Sequence, residues 1–546
     1  MKKKKSKSNF IVQGGILAMA GIISRIIGIA RRFPMQRIFG DKGNGYYAAA
    51  YSVYSIMLII SCYSLPLAVS KAVSSKLSKR QYKSAQRVFQ CAMIFALTIG
   101  GIMFLVCEFL GDFLAEHVME EPMGALALKV LGPALLTVSV MGVFRGYFQG
   151  LGTMMPTAIS QILEQIFVLI GSIAGTYVLY NYGGKVGELL HNEDYAPAYG
   201  AAGASIGPVL GSVVGLLFLA FVYVLYQKGM KRRGSRDANG RVDSYQQIFK
   251  LIILTIIPVL LSSTVYNISD VIDTSIYGKV MVAKGLGDVK TDIWGVYTGK
   301  YKVLINVPIA LANAMCSSIV PVLTKLMVRD EYGRVKERIG QAMRFTMIVA
   351  FPCAVGLAVL ARPIISMLFK GEVDMAVNML HVGSVSVIFF AISTLTNGVL
   401  QGINRMKVPV RNAAISLVIH IVFLYATLQL GMGINAVIYA NILFAAIVCV
   451  LNALAIRKYM RYNQELIRTF AIPAIASVVM GIVIGLLNML LSKAAGNVVS
   501  VFVGISVGAV VYFVVLILLK GINEHDLRSM PAGRTILMLA KKVHLM

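Results

Sequence analysis

Apolar runs of about twenty residues follow one another from Phe10 to Leu519, separated by short basic or acidic stretches. A helix rises 1.5 Å per residue, so about 20 apolar residues cross a hydrocarbon core of about 30 Å. The pattern predicts an all-α polytopic membrane protein of about fourteen spans. They fall near 10–39, 46–75, 86–110, 123–150, 157–182, 199–227, 247–278, 297–326, 340–369, 375–402, 409–430, 432–456, 467–492 and 497–519. The expected organisation is a six-helix bundle at 1–228, a basic cytoplasmic linker at 229–246, a second six-helix bundle at 247–457, two extra helices at 458–520 and a cytoplasmic tail at 521–546.

The two halves look alike. "LPLAVSKAVSS" at 65–75 resembles "VPIALANAMCSS" at 307–318, and "FQGLGTMMP" at 148–156 resembles "LQGINRMKVP" at 400–409. "GAAGASIG" at 200–207 resembles "GINAVIYA" at 433–440. The matches keep the same order, so the first six spans are repeated by the next six. An even number of spans per repeat gives both halves one orientation, a parallel repeat about the membrane normal.

Charge then sets the orientation. Alternate loops such as "SKLSKRQYKSAQR" and "QKGMKRRGSRDANGR" are basic, while "GDFLAEHVMEEP" and "YGGKVGELLHNEDYAPA" are acidic. Lys and Arg favour the cytoplasmic side, so both termini are expected there, in the cytoplasmic membrane. The start, "MKKKKSKSNF", resembles a signal peptide with small residues at Ala18 and Ala20. The apolar run continues through Ile29, too long for a signal h-region, and an uncleaved first span fits better.

Composition narrows the function. Of 546 residues 57% are hydrophobic and 14% charged, against about 25% charged in soluble proteins. The net charge of +28 sits in short loops between apolar runs, which argues against a nucleic-acid partner. The six cysteines have no metal-like spacing and read as free thiols without a disulfide framework. The six histidines are scattered, no Walker A motif occurs, and no extramembrane segment is long enough for an enzyme domain. No cofactor is expected.

Candidate chemistry lies inside the spans. In "SRIIGIARRFPMQRIFG" at 24–40, Gly21, Arg25, Gly28 and Arg32 recur at i, i+4, i+7 and i+11 and share a helix face. Glycines there leave room for a long side chain. Pro34 is expected to kink the helix near Arg31 and turn it to the same side. An arginine at mid-membrane costs about 2.5–3.5 kcal/mol on insertion scales. A water-filled cavity between the halves would remove most of that cost, and the guanidinium forks suit a phosphate. Lys302 would line the same cavity. Other readings stand beside this one. Arg31 and Arg32 snorkel to outer headgroups, Arg25 pairs with Glu164, and Lys302, Lys71, Arg145, Glu108 and Lys129 are interfacial. Asp270 and Asp273 share a face in span seven, which suggests a monovalent cation site or a proton relay, or else a polar helix end.

Fourteen spans grouped as six, six and two, with "SRIIGIARR" in the first, resemble the MurJ-type lipid II flippases. The resemblance is greatest to the Gram-positive branch typified by SpoVB and YtgP, within the multidrug/oligosaccharidyl-lipid/polysaccharide exporter superfamily. It implies that Ser24, Arg25, Gly28 and Arg31 fit a motif that places arginines in a central cationic cavity. A family arginine in span eight is replaced by Lys302 before Pro308. The arginine that many members carry in span two is absent from "YSVYSIMLIISCYSLP". The last two spans are implied to form a groove for a polyprenyl tail. A sodium site between spans seven, eleven and twelve would draw on Asp270 or Asp273 with Asn412 and Ser416, though the carboxylate expected near position 416 is absent.

The expected function is translocation of an undecaprenyl-diphosphate-linked peptidoglycan precursor, lipid II, by alternating access. Na⁺ or H⁺ coupling is a candidate drive, membrane lipids are the other partners, and no enzyme activity is expected. The alternatives are export of another polyprenyl-linked oligosaccharide, multidrug export, which calls for acidic groups in the cavity, and a non-transporting scaffold with its arginines in fixed ion pairs. A membrane glycosyltransferase would need catalytic carboxylates on a substantial loop, and none is visible.

Overall fold

A computed structural model describes residues 2–234, 243–494 and 496–522. The expected linker lies partly, and the expected tail almost wholly, outside the described residues. Every described element is helical, and no strand occurs among the described residues. The chain divides into two compact units, Met1–Gly295 and Val296–Met546.

The first unit holds α1 (Lys2–Leu58), α2 (Leu65–Ser78), α3 (Tyr82–His117), α4 (Ala125–Gly150), α5 (Met155–Leu190), α6 (Tyr195–Gly234), α7 (Tyr245–Ala283) and α8 (Gly287–Val296). α1 carries the first expected span and the start of the second, which ends in α2. Its backbone leaves helical dihedrals at Gly40 (φ 71°, ψ −168°), beyond Pro34. The corner falls at the boundary expected between the first two spans, and Pro34 lies inside the helix before it. Proline keeps a helical φ and loses one hydrogen bond, whereas a positive φ comes readily only to glycine. Met35, Phe39, Tyr46, Leu128, Leu131 and Leu135 form a buried core around this corner.

α5 and α6 meet along glycines. A Cβ on Gly207 would crowd the backbone of Val168 and Ser172, and one on Gly211 would lie 2.6 Å from the Glu164 carbonyl oxygen. Gly171 and Gly175 on α5 face Gly203 and Gly207 on α6 at four-residue spacing. Small residues at this interval let membrane helices touch backbone to backbone, where dispersion replaces the missing hydrophobic drive.

α8 is latched to the loop after α3. Lys290 Nζ lies 3.0 Å from Glu121 Oε1 and also donates to the Glu120 carbonyl. Thr291 Oγ1 donates to Glu121 Oε1 at 2.6 Å. Burial pushes the Glu121 carboxyl above its ordinary value, and Lys290 and the Thr291 hydrogen bond oppose that rise.

The second unit holds α9 (Lys302–Met327), α10 (Tyr332–Val359), α11 (Ala361–Leu368), α12 (Asp374–Gly383), α13 (Ser386–Gly402), α14 (Lys407–Gln429), α15 (Ile434–Met460), α16 (Ile472–Ala494) and α17 (Gly496–Leu518). α12 and α13 form one bent pair, angled at 49°. Tyr512 on α17 donates to the Ile348 carbonyl on α10 at 2.8 Å, tying the last helices to their unit.

The repeat is visible turn by turn. A π-helical turn at Ile59–Tyr63 precedes α2, and another at Tyr297–Tyr301 precedes α9. α2 ends with Arg80 at φ 55° and a bond from the Gln81 amide to the Lys76 carbonyl. α9 ends with Asp330 at φ 56° and the same bond from Glu331 to Leu326. α4 and α13 close alike. Gly152 (φ 81°) and Asn404 (φ 59°) take the left-handed position, and Thr153 and Arg405 bond back to Phe148 and Leu400.

Among the described residues, eleven helical segments are long and apolar enough to cross a membrane, or twelve with the bent pair. One of them, Met19–Ser78, contains the Gly40 corner and so spans two expected crossings. α7 covers the seventh. All six cysteines are free.

Candidate functional site

Arg25, Arg31 and Arg32 lie on α1 before the Gly40 corner, and α5 packs beside them. Ser24 Oγ donates to the Gln161 carbonyl at 3.4 Å, and Gly28 leaves 3.6 Å between a notional Cβ and Gln165 Oε1. A Cβ on Gly21 would meet nothing within 4 Å, so this face keeps the open room that the glycines imply. Arg25 is exposed, and Arg31 and Arg32 are half-buried.

Arg31 Nη1 donates to Ser172 Oγ at 3.2 Å, and Ser172 Oγ donates to the Ala204 carbonyl at 2.9 Å. The glycine seam therefore fixes the acceptor that orients Arg31. Arg31 Nε is buried without a hydrogen-bond partner among the described residues. None of the three arginines pairs with a carboxylate among the described residues.

The carboxylate named as a partner for Arg25 is taken elsewhere. Glu164 Oε2 lies 2.7 Å from Arg145 Nη2, with side chains only 18% and 14% exposed. Arg145 Nε also donates to Ser160 Oγ at 3.1 Å. Arg145 thus turns inward, which corrects its reading as a snorkelling residue: a buried acid on α5 within reach outweighs the route to water. Lys129 does reach an exposed carboxylate, Asp112, at 2.7 Å.

Lys302 belongs to the second unit. It is half-buried at the start of α9, with Nζ 5.5 Å from the centre of the Tyr297 ring. Tyr297 stacks on Tyr301, and Lys300 between them is buried with Nζ donating to the Glu372 carbonyl at 2.9 Å. The π-helical turn brings these groups together, as such turns often do at functional sites.

The four candidate cation ligands fall in two clusters. Asp273 is buried and Asp270 exposed on α7 in the first unit, where the Asp270 carbonyl accepts from Thr274 at 2.7 Å. Asn412 and Ser416 are buried on α14 in the second. Asn412 Nδ2 donates to Asn452 at 2.9 Å, and Asn452 donates to Thr396 at 3.0 Å and to Asn397 at 2.8 Å. Ser416 Oγ donates to the Asn412 carbonyl at 2.9 Å. Among the described residues no three His, Cys, Asp or Glu side chains cluster at metal-binding distance.

Sequence reasoning missed Ser172, the Arg145–Glu164 pair and the amides of Asn397 and Asn452. The four-residue glycine spacing flanking Ser172 was the available signal. It also passed over Tyr47, Tyr51 and Tyr54, whose i, i+4, i+7 interval marks one helix face.

The relatives agree with this architecture. A family model described as polysaccharide biosynthesis protein matches residues 11–327, more than half of the chain, and a MatE model matches residues 258–426. The chain is 25% identical over 491 residues to the lipid II flippase MurJ of Bacillus subtilis, covering 87% of this chain and 88% of that one. It is 24% identical over 540 residues to stage V sporulation protein B of the same organism, covering 97% and 100%. A solved structure of lipid II flippase MurJ in an inward closed conformation superposes with a TM-score of 0.64 at 16% identity, covering 91% of this chain and 97% of that one.

Fold and relatives together define a multi-pass, all-helical MurJ/SpoVB-like flippase of the multidrug/oligosaccharidyl-lipid/polysaccharide superfamily. The chain belongs to the polysaccharide biosynthesis protein family.

Proposed function

We propose that this protein carries undecaprenyl-diphosphate-linked peptidoglycan precursor, lipid II, from the inner to the outer leaflet. The observation that carries the reading is the unpaired cationic face of α1, where Arg25, Arg31 and Arg32 have no carboxylate partner among the described residues. A diphosphate supplies the missing acceptors, and bidentate contacts make guanidinium the suited donor. Lys302 on α9 is a further candidate substrate cation, a point charge rather than a fork. The polyprenyl tail stays in lipid along α16 and α17, and the two repeats alternate access. No bond is made or broken. Both termini lie in the cytoplasm. Coupling to Na⁺ or H⁺, through Asp270 and Asp273 or at Asn412 and Ser416, resets the carrier. The membrane potential contributes about 2.3 kcal/mol per charge at 100 mV.

A second substrate reading, another polyprenyl-linked oligosaccharide, draws on one feature. Span two carries tyrosines and no arginine, unlike many MurJ-type members. Both readings are tested by depleting a bacterium of its own lipid II flippases. The chain is expressed in that background beside Arg25→Ala and Arg31→Ala at matched membrane levels. Outer-leaflet lipid II is read by an external enzyme that cleaves it. Restoration by the parent alone supports lipid II and the arginines. A well-inserted parent that restores nothing removes lipid II and leaves the other glycans. Full transport by a folded Arg25→Ala variant removes that arginine from the substrate path.

A further inference from the structure

Beyond the Gly40 corner, α1 presents three tyrosines on one face. Tyr47 stacks on Tyr51 with ring centres 5.8 Å apart, and Tyr51 meets Tyr54 at 5.5 Å. Tyr47 and Tyr54 are 6% and 3% exposed, and no ring is needed at Tyr51 to seal the core, since it is 36% exposed. Tyr47 and Tyr51 lie within electrostatic range of Arg32, and Tyr51 also of Arg31 and Glu164. A partly exposed aromatic ring therefore lies within electrostatic range of the cations.

Two unsatisfied polar atoms belong to the same groups. Tyr47 Oη and Arg31 Nε are both buried without a hydrogen-bond partner among the described residues. More than about 90% of buried polar groups in proteins are satisfied, so both atoms have room for a partner from outside. A guanidinium donor, a hydroxyl and an aromatic ring do not suit an ion alone. A bare diphosphate would use the guanidinium groups and leave the rings idle. A pyranose uses all of them: its C–H face is apolar and covers an aromatic ring, and its rim hydroxyls both donate and accept.

We propose that Tyr51, backed by Tyr47 and Tyr54, is the stacking platform for the pyranose attached directly to the diphosphate, beside Arg31 and Arg32. The inference rests on the flippase reading above and deepens it. The first unit discriminates a glycosylated polyprenyl diphosphate from the bare carrier lipid, so it loads the charged substrate and not the product of its consumption. Tyr47 contributes a hydrogen bond at the sugar rim.

The test uses the full-length protein in nanodiscs. Affinities for undecaprenyl diphosphate and for undecaprenyl-diphosphate-N-acetylhexosamine are measured by native mass spectrometry. The parent is expected to prefer the glycosylated lipid. Tyr51→Leu should weaken that lipid roughly three- to tenfold and leave the bare lipid unchanged, while Tyr51→Phe should keep the preference. Arg31→Ala should weaken both. Tyr47→Phe, which removes a buried unsatisfied hydroxyl, should raise the thermal midpoint of the empty protein and still weaken the glycosylated lipid. A purely structural tyrosine stack would not separate those two readouts. Equal losses on both lipids, or none, in Tyr51→Leu overturn the platform while leaving the flippase reading intact. A parent that binds neither lipid overturns the flippase reading and the platform with it.

Discussion

Replacing Gly207 by alanine probes the seam that orients Arg31. A Cβ there would stand 2.5 Å from the Val168 carbonyl oxygen and 2.8 Å from the Ser172 amide nitrogen, and would press on Ser172 Oγ. Approaches under 3.0 Å essentially never occur for a real Cβ, so the carbonyl must recede by at least 3.0 − 2.5 = 0.5 Å. Both nearest backbone atoms belong to the interior of α5 and cannot rotate away, so the two helices must part. Overpacking of this kind costs about 1–3 kcal/mol. Alanine in a helix regains about 0.5–1 kcal/mol relative to glycine, which blurs the single comparison. Gly101→Ala on α3 removes the ambiguity, because a Cβ at that position meets nothing within 4 Å. The propensity gain is common to both variants, and their difference isolates the crowding. Thermal unfolding in nanodiscs should place Gly207→Ala below the parent and Gly101→Ala at or above it. Gly207→Ala should also weaken headgroup binding, because Ser172 moves with the seam. Equal midpoints for the two variants would refute backbone contact as the basis of the α5–α6 interface.

Arg145→Ala leaves Glu164 buried without its counter-charge and should cost about 3–5 kcal/mol, whereas Arg145→Met with Glu164→Leu should cost far less. Unfolding midpoints of the single and double variants decide this, and a double variant as unstable as the single one counts against it. Burial holds the Glu121 proton on in the folded state at pH values where the unfolded chain has released it. Stability from this group therefore falls as pH rises from the ordinary carboxylate range, and Glu121→Gln should flatten the slope of midpoint against pH. Asp273→Asn should reduce the dependence of flux on Na⁺ or pH in proteoliposomes. Unchanged dependence removes the Asp273 carboxylate from coupling.

Apolar period and loop charge made the helical architecture legible, because a span must satisfy its backbone internally and be long enough to cross. The repeat was legible for a different reason. The turns "FQGLGTMMP" and "LQGINRMKVP" need a residue that tolerates a left-handed conformation, which Gly152 and Asn404 supply. The corner in α1 falls between the first two expected spans, at Gly40, because a positive φ comes readily only to glycine. The arginines were conspicuous as charges in apolar runs, but their partners were not. Pairing of Arg145 with Glu164 is a contact between α4 and α5, set by helix rotation that no local pattern encodes. Tyr47, Tyr51 and Tyr54 were hidden by composition, since aromatic residues in a span read as ordinary apolar filling until stacking and exposure are known.

The two kinds of buried arginine in the first unit carry opposite consequences. Arg145 has its charge neutralised by Glu164 and its remaining reach taken by Ser160, so any ligand would first have to break a made interaction. Arg31 holds one neutral hydroxyl at 3.2 Å and keeps Nε unmatched, so a phosphate gains a bond and breaks little. Leaving such groups unsatisfied costs the empty protein about 1–3 kcal/mol each. That cost is recovered only while the headgroup is bound. A carrier must also release, and a neutral hydroxyl on α5 is a partner to which Arg31 can return without a new carboxylate competing for it. The tyrosine face completes the same logic. Stacking adds affinity of about 0.5–1.5 kcal/mol, enough to choose a sugar and too little to trap it. Substitution of Arg145 should therefore read out in stability and that of Arg31 or Tyr51 in flux, and a scaffold with fixed ion pairs would show the first effect at all three positions.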